Sequence, residues 1–101
     1  MLLFIDTTDP RQISVKVANT EIIKSVPSPR GGDVLKLIDE ALKKANATKE
    51  KLTEIEVNPG PSTDLNVGVA VANALGASLH IPINHQKPGI FVKPIYKSTP
   101  S

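Results

Sequence analysis

The stretch Leu65–Gln86, LNVGVAVANALGASLHIPINHQ, decides how this chain must fold and what it must contact. Its 22 consecutive residues contain no Asp, Glu, Lys or Arg, although 22% of the whole chain is charged. Residues 65–79 predict a helix without a polar side, and such a helix must be buried all round. A chain of 101 residues has difficulty covering both faces of one helix. We therefore expect another protein to cover its far side.

Length and composition limit the classes to which the chain can belong. A chain of 101 residues fits one domain with one modest core. It contains one Tyr, two Phe and no Trp, so stacking platforms for single-stranded nucleic acid are not expected. A net charge of +2 is too small to argue for a nucleic-acid or membrane partner. The absence of cysteine excludes disulfides, zinc–thiolate sites and thiol nucleophiles, and it fits the cytoplasm.

Neither the N-terminus nor the uncharged stretch is predicted to be a secretory signal or a membrane span. The N-terminus MLLFIDTTD lacks a basic region and a long apolar run, so we expect no secretory signal. Asn and Pro residues interrupt the uncharged stretch, and it is therefore not expected to span a bilayer.

Three segments before residue 27 predict an antiparallel meander. Residues 2–7 are an apolar run, typical of a buried central strand. In residues 12–18 apolar and polar positions alternate, which indicates a strand with one solvated face. Residues 21–26 are rich in β-branched side chains and suit the returning strand. Prolines and glycines in residues 27–32 then end the sheet.

Two helices and two further strands complete the predicted fold. Residues 33–47 predict a helix with one apolar side, and Glu54–Val57 predicts a strand parallel to the first, joined by a right-handed crossover. Ile81–Ile83 reads as a short fifth strand, and residues 87–101 predict an extended, docked tail. The predicted fold class is α/β: a single lobe over residues 1–101 with a mixed five-stranded sheet and two main helices.

Asp6, Thr7 and Thr8 are the candidate nucleotide-binding residues. The sequence IDTT resembles the first phosphate loop of actin-like ATPases, where an aspartate at a strand end serves metal and phosphate. The alternative interpretation, a core strand that ends in an Asx-type turn, is favoured on general grounds of turn chemistry.

The loop Asn58–Asp64 and the two histidines give no stronger chemical signal. Ser62, Thr63 and Asp64 are all good N-cap residues for the uncharged helix. Phosphate binding there is disfavoured, because the loop has no Walker-type lysine and Asp64 is negatively charged. His80 and His85 have no third ligand near them in the sequence, so we predict no metal site.

Several motifs together resemble the TsaB (YeaZ) family. The first strand ends in IDTT, and residues 34–42, VLKLIDEAL, are similar to the family pattern LLPLIDELL. Residues 58–68, NPGPSTDLNVG, align without a gap with the family loop GPGSFTGLRIG. Residues 76–82, GASLHIP, resemble the family's GLGIP ending, and residues 94–100, PIYKSTP, resemble its PVYLRPP-like C-terminus. The loop shares five residues with the family: Pro59, Gly60, Thr63, Leu65 and Gly68.

Two departures from the family pattern are visible. Family members carry a second lobe, whereas here His85 is followed almost directly by the terminal motif. The loop has Ser62, Asp64 and Asn66 where the family has Phe, a second Gly and Arg. Because both ends of the family pattern are present, we expect a naturally miniaturised member.

The resemblance implies a single actin-like/ribonuclease-H-like lobe, and a subunit with no catalytic residues and no cofactor of its own. TsaB-like proteins support the catalytic subunit TsaD, which transfers threonylcarbamoyl to adenosine in ANN-decoding tRNAs, and the ATPase TsaE is a further partner. Their N-terminal lobes associate through two helices each. Contact with tRNA is then expected only through the complex, and either TsaD or a second copy of the chain could occupy the surface.

The predicted partner surface takes residues from both helices. The first helix contributes Leu37, Ala41 and Ala45. The uncharged helix contributes Val67, Val71, Ala74 and Leu75.

Two other classes of function remain as alternatives to a partner scaffold. The first is a minimal actin-like nucleotide-binding lobe with ATP or hydrolytic activity, using Asp6, Thr7 and Thr8. The second is a direct tRNA-binding module, whose affinity would depend steeply on salt. The small net charge places it last.

Overall fold

The structure is a computed structural model that describes residues 1–63 and 65–97 of the chain. A 3₁₀ turn at Lys49–Lys51 lies between the first helix and the last strand. The strands and helices, in chain order, are β1 (Leu2–Asp6), β2 (Gln12–Val17), β3 (Thr20–Ser25), α1 (Gly31–Lys44), β4 (Glu54–Val57) and α2 (Val67–Leu79).

The strands form one mixed sheet in the order β3-β2-β1-β4. β2 pairs antiparallel with both β1 and β3, and β4 pairs parallel with β1. This is the predicted meander followed by a parallel strand. Within each strand every second side chain points to the same face of the sheet, so one face can be buried while the other is solvated. The buried face carries Leu3, Ile5, Ile13, Val15, Val17, Ile55 and Val57.

The predicted fifth strand is wrong, since the sheet of the described residues has four strands. Of residues 81–83, only Ile83 makes a β-bridge, with Ile55. The amide of Ile55 donates to the carbonyl of Pro82, but Pro82 has no N–H to continue a ladder. Asn84 has a φ of 51°, so the extended backbone ends there. The segment therefore makes one β-bridge with β4 and no ladder.

Both helices cover the same face of the sheet. α1 packs on β2 and β3, α2 packs on β4 and β1, and the helices contact each other. The predicted apolar stripe of α1 supplies its buried side, which consists of Val34, Leu37, Ile38, Ala41 and Leu42. The other face of the sheet carries no helix from the described residues, as the contacts between elements indicate.

The helix starts differ from those predicted. α1 begins at Gly31 rather than Asp33, and the Asp33 carboxylate accepts a hydrogen bond from the amide of Arg30 at 3.0 Å. α2 is capped by Asn66, not by Ser62 or Thr63. Ser62 is unsuited to the cap because it lies in an extended segment that bridges to Tyr96. The third predicted cap, Asp64, lies outside the described residues.

The described part of the tail, residues 87–97, contains no helix or strand. The Ile95 amide donates to the Pro59 carbonyl at 2.7 Å, and the Ser62 amide donates to the Ile95 carbonyl at 3.0 Å. An extended, docked tail is what the sequence predicts for this segment. None of the helices in the described residues has the length and apolar character needed to cross a bilayer.

Candidate partner-binding surface

The side of α2 that faces the sheet is formed by small residues. Gly68, Ala72 and Gly76 are all buried. A Cβ atom at Gly68 would lie 2.8 Å from Thr7 Oγ1, and one at Gly76 would lie 2.6 Å from Ile83 Cδ1. The row of small residues therefore allows close packing on the end of β1 and on the 81–83 segment of the same chain. It is not available to a partner subunit.

A second side of α2 is covered by the tail. The side chain of Asn73 donates from Nδ2 to the Val92 carbonyl at 2.9 Å. It also accepts, at Oδ1, a hydrogen bond of 2.9 Å from the Val92 amide. Val92 is itself buried in the core cluster. The tail thus supplies part of the cover that the uncharged helix requires.

We expect Asn73→Ala to release this part of the tail. Loss of two hydrogen bonds worth about 1 kcal/mol each should make chymotrypsin cleave after the exposed Phe91 roughly thirtyfold faster, because cleavage follows the population of the open form. Timed digestion followed by mass spectrometry measures the rate. Asn19→Ala is the matched control, as Asn19 is exposed in the turn between β2 and β3. Equal cleavage of both variants would contradict the docking role.

The N-terminal end of α2 is anchored to the end of β1. Thr7 is buried, donates from Oγ1 to Asn66 Oδ1 at 2.9 Å and accepts from the Gly68 amide at 2.9 Å. Asn66 Oδ1 also accepts from the Val69 amide, which is the capping bond of the helix. Its Nδ2 donates to the Asn58 carbonyl. These bonds fix where α2 begins relative to the sheet.

The predicted nucleotide-binding residues take part in the same network. Asp6 Oδ1 accepts from the Thr8 amide at 2.9 Å and from Thr8 Oγ1 at 2.7 Å, which forms an Asx turn. Asp6 Oδ2 accepts from Asn58 Nδ2 at 3.1 Å. Both carboxylate oxygens and the Thr7 hydroxyl thus hold the strand end, the loop and the helix together. This is the geometry of a core strand that ends in an Asx-type turn, the interpretation that the sequence favours over nucleotide binding.

The remaining side of α2 borders an open apolar groove between the two helices. The groove has a volume of about 380 Å³. Eight residues line it: Gly31, Leu35, Val67, Ala70, Val71, Ala74, Leu75 and Ser78. None of them carries a charge, and Leu35 remains 42% exposed. We call this feature the α1–α2 groove.

The α1–α2 groove brings together four of the seven predicted partner residues. Val67, Val71, Ala74 and Leu75 line it. Leu37 and Ala41 do not, because they are buried in the core at 2% and 0% exposure and offer no surface. Ala45 is the C-cap of α1, is half-buried and packs against the core.

The prediction missed the part of the groove that comes from the start of α1. Leu35 and Gly31 line it there, together with Ala70 and Ser78 of α2. Leu35 lies at the edge of the predicted apolar stripe, so helical periodicity was the signal for it. Gly31 gives no such signal, since its place in the groove depends on a helix start that the sequence places two residues later.

The structure places the two histidines in different surroundings. His80 is the left-handed C-cap of α2, with a φ of 57°. His85 Nδ1 lies 2.5 Å from Glu54 Oε2, and its Nε2 lies 3.1 Å from Glu56 Oε1. The sequence alone does not show these neighbours of His85. Glu54 and Glu56 are far from it in sequence and adjacent to it in space.

The fold and this surface define a class of protein: a single α/β lobe with a mixed sheet, whose two helices lie on one face and leave an apolar groove open. The family model "TsaD: tRNA N6-adenosine threonylcarbamoyltransferase" matches residues 32–85, from the first turn of α1 to the loop after α2. This match spans more than half of the chain, and the chain belongs to this family. No curated protein sequence matches it significantly.

Two solved structures share the fold. YeaZ from Pseudomonas aeruginosa matches with a TM-score of 0.70 and 16% sequence identity, over 85% of this chain and 43% of that one. An uncharacterized protein with similarity to peptidase YEAZ from Pseudomonas aeruginosa matches with a TM-score of 0.69 and 17% identity, over 81% of this chain and 40% of that one. The chain thus spans about two-fifths of their length. The resemblance to the TsaB (YeaZ) family is confirmed in fold by these structures, and the match to the TsaD family model supports it.

Proposed function

We propose that the chain is a non-catalytic scaffold subunit that binds a TsaD-like catalytic subunit through the α1–α2 groove. Through that subunit it supports threonylcarbamoyl transfer to adenosine of ANN-decoding tRNAs, with a TsaE-like ATPase as a further member of the complex. Membership of the family supports a role in tRNA modification. The observation that carries the scaffold role is the groove, which is apolar, uncharged and open although the sheet and tail cover the other sides of α2.

The chemistry of the groove supports a helix as its occupant. Its exposed positions on α2 are Ala70, Ala74 and Ser78, which are small and lie four residues apart. Residues at this spacing share one face of a helix. Small side chains on that face let a second helix approach closely, while Leu35 and Val67 give the occupant apolar side chains to pack against.

The polar residues at the end of β1 support a role without catalysis of its own. The Asp6 carboxylate and the Thr7 hydroxyl are occupied by bonds to Thr8, Asn58, Asn66 and Gly68. A nucleotide or metal there would have to break bonds that also start α2. We therefore propose that tRNA and ATP reach this chain only through its partners.

Gel filtration with the TsaD-like subunit of the same cell tests the proposal. We expect the purified chain and that subunit to elute together as a complex at micromolar concentration, and light scattering should give its stoichiometry. If the chain alone is a dimer through the α1–α2 groove, the subunit should dissociate that dimer, because both need the same surface. Separate elution at all ratios would contradict the scaffold role. Calorimetry that detects tight ATP binding by the isolated chain would favour the nucleotide-binding lobe instead.

A further inference from the structure

A cluster of metal-ligand side chains lies on β4, away from the α1–α2 groove. Glu54 and Glu56 are two residues apart on this strand, so both project to the face opposite Ile55 and Val57. Ile55 and Val57 are buried under the helices, whereas the two glutamates are half-buried on the sheet's other face. His85 lies against both, with one ring nitrogen near each carboxylate.

Backbone contacts position His85 at this place. The side chain of the preceding residue, Asn84, hydrogen-bonds to the backbone of β4. Its Oδ1 accepts from the Val57 amide at 2.8 Å and its Nδ2 donates to the Val57 carbonyl at 3.0 Å. The Asn84 amide also donates to the Ile55 carbonyl at 2.8 Å. The residue before the imidazole is therefore attached to β4 at three points.

The backbone at this point is in a conformation that non-glycine residues rarely adopt. Asn84 and His85 have φ values of 51° and 64°, both in the left-handed region. For His85 this costs about 1 kcal/mol or more relative to an extended conformation. The three bonds of Asn84 offset that cost. Their result is to bring an imidazole over two carboxylates that lie 29 and 31 positions earlier in the chain.

The two carboxylates of the cluster favour a bound cation. Two carboxylates share one strand face, and among residues 1–63 and 65–97 no lysine or arginine forms a salt bridge with either. The nearest group to both is the His85 ring, whose side chain is 72% exposed. Like charges two residues apart on a strand repel, so a divalent cation bound by both carboxylates and the imidazole would stabilise this arrangement.

The donor set selects the class of cation. Glu54, Glu56 and His85 each offer one ligand atom, and these atoms all lie within 4.8 Å of one another. Zinc binds carboxylate oxygen and imidazole nitrogen at about 2.0–2.2 Å, and open sites keep three protein ligands and a water. Magnesium and calcium prefer oxygen ligands alone.

We propose that Glu54, Glu56 and His85 form a three-ligand site for a divalent transition metal of the zinc class, with water in the remaining position. The bound ion joins the 84–86 loop to β4. It stabilises the edge of the sheet where the predicted fifth strand is missing. The site is independent of the scaffold role, because it lies on the opposite face of the sheet from the α1–α2 groove.

Calorimetric titration of the tag-free chain with zinc chloride tests the site. We expect one zinc ion per chain and, at saturating zinc, a melting temperature higher by about 5 °C, since a ligand specific for the folded state stabilises it. Magnesium chloride should give no binding. His85→Asn and Glu56→Gln should each weaken zinc binding at least about tenfold.

His80→Asn is the matched control, because His80 is also exposed and left-handed but has no carboxylate of the described residues within salt-bridge distance. Circular dichroism checks that each variant is folded. If a variant does not fold, zinc-induced shifts of the two imidazole rings in NMR spectra of the unaltered chain decide, and only the His85 ring should shift. Absence of zinc binding, or equal weakening by His80→Asn, would overturn the proposal.

Discussion

Replacing Ala74 with Asp is expected to abolish association with the TsaD-like subunit while the isolated chain stays folded. Ala74 is exposed and lines the α1–α2 groove, so its side chain makes no contribution to the core. A carboxylate there would be buried without a partner when a helix covers the groove. Burial of an unpaired charge at an interface costs roughly 3 kcal/mol or more, which is about a hundredfold or more in affinity. Gel filtration and calorimetry of the mixture measure the loss.

Ala77→Asp is the matched control for Ala74→Asp. Ala77 is exposed on the same helix but does not line the groove. It lies closer to the C-terminal end of α2, so an aspartate there is at least as unfavourable for the helix itself. We expect this variant to bind nearly as well as the unaltered chain. The groove is not the partner surface if Ala74→Asp binds normally, or if both variants lose binding equally.

Replacing Gly68 with Val should destabilise the lobe strongly. The first carbon of the new side chain would lie 2.8 Å from Thr7 Oγ1 and 3.0 Å from Ile5 Cγ2, and both residues are buried. The β-branched side chain must displace Thr7, which holds the start of α2 through Asn66 and the Gly68 amide. Overpacking and the loss of a buried hydrogen bond together predict a loss of about 3 kcal/mol in the free energy of unfolding.

Thermal unfolding followed by circular dichroism measures this loss, and a decrease of about 15 °C in the melting temperature is expected. Gly32→Val is the control, since Gly32 is the second residue of α1 as Gly68 is of α2. A Cβ atom at Gly32 meets nothing within 4 Å. The control should melt within a few degrees of the unaltered chain. A Gly68→Val protein that is equally stable would show that α2 does not depend on close approach to β1.

Much of the lobe is encoded in local sequence patterns. The alternation in QISVKV is enough to predict β2 and its buried side, and the amphipathic spacing of α1 is enough to predict which of its residues enter the core. Glu54–Val57 is a strand with the bounds that the sequence predicts. The predicted and observed elements agree because each has one buried face, and a periodic pattern of apolar residues indicates which face is buried.

Other features depend on contacts between distant residues, and no local pattern reports them. The cap of α2 is Asn66 because Thr7 donates to it, and Thr7 is 59 residues away. The Ile81–Ile83 segment has strand-like residues but only a single bridge to β4. Leu37 and Ala41 satisfy the same periodicity as a partner surface would, and only the position of the sheet assigns them to the core.

For the uncharged stretch Leu65–Gln86, the sequence by itself determined that it contains a helix that must be covered, because no side of that helix is charged. Only the tertiary structure decided what covers it: the end of β1 meets Gly68, the 81–83 segment meets Gly76, and the tail meets Asn73. The groove at Ala74 stays open. The physical reason is that composition fixes how much surface must leave water, whereas chain topology fixes which neighbour removes it.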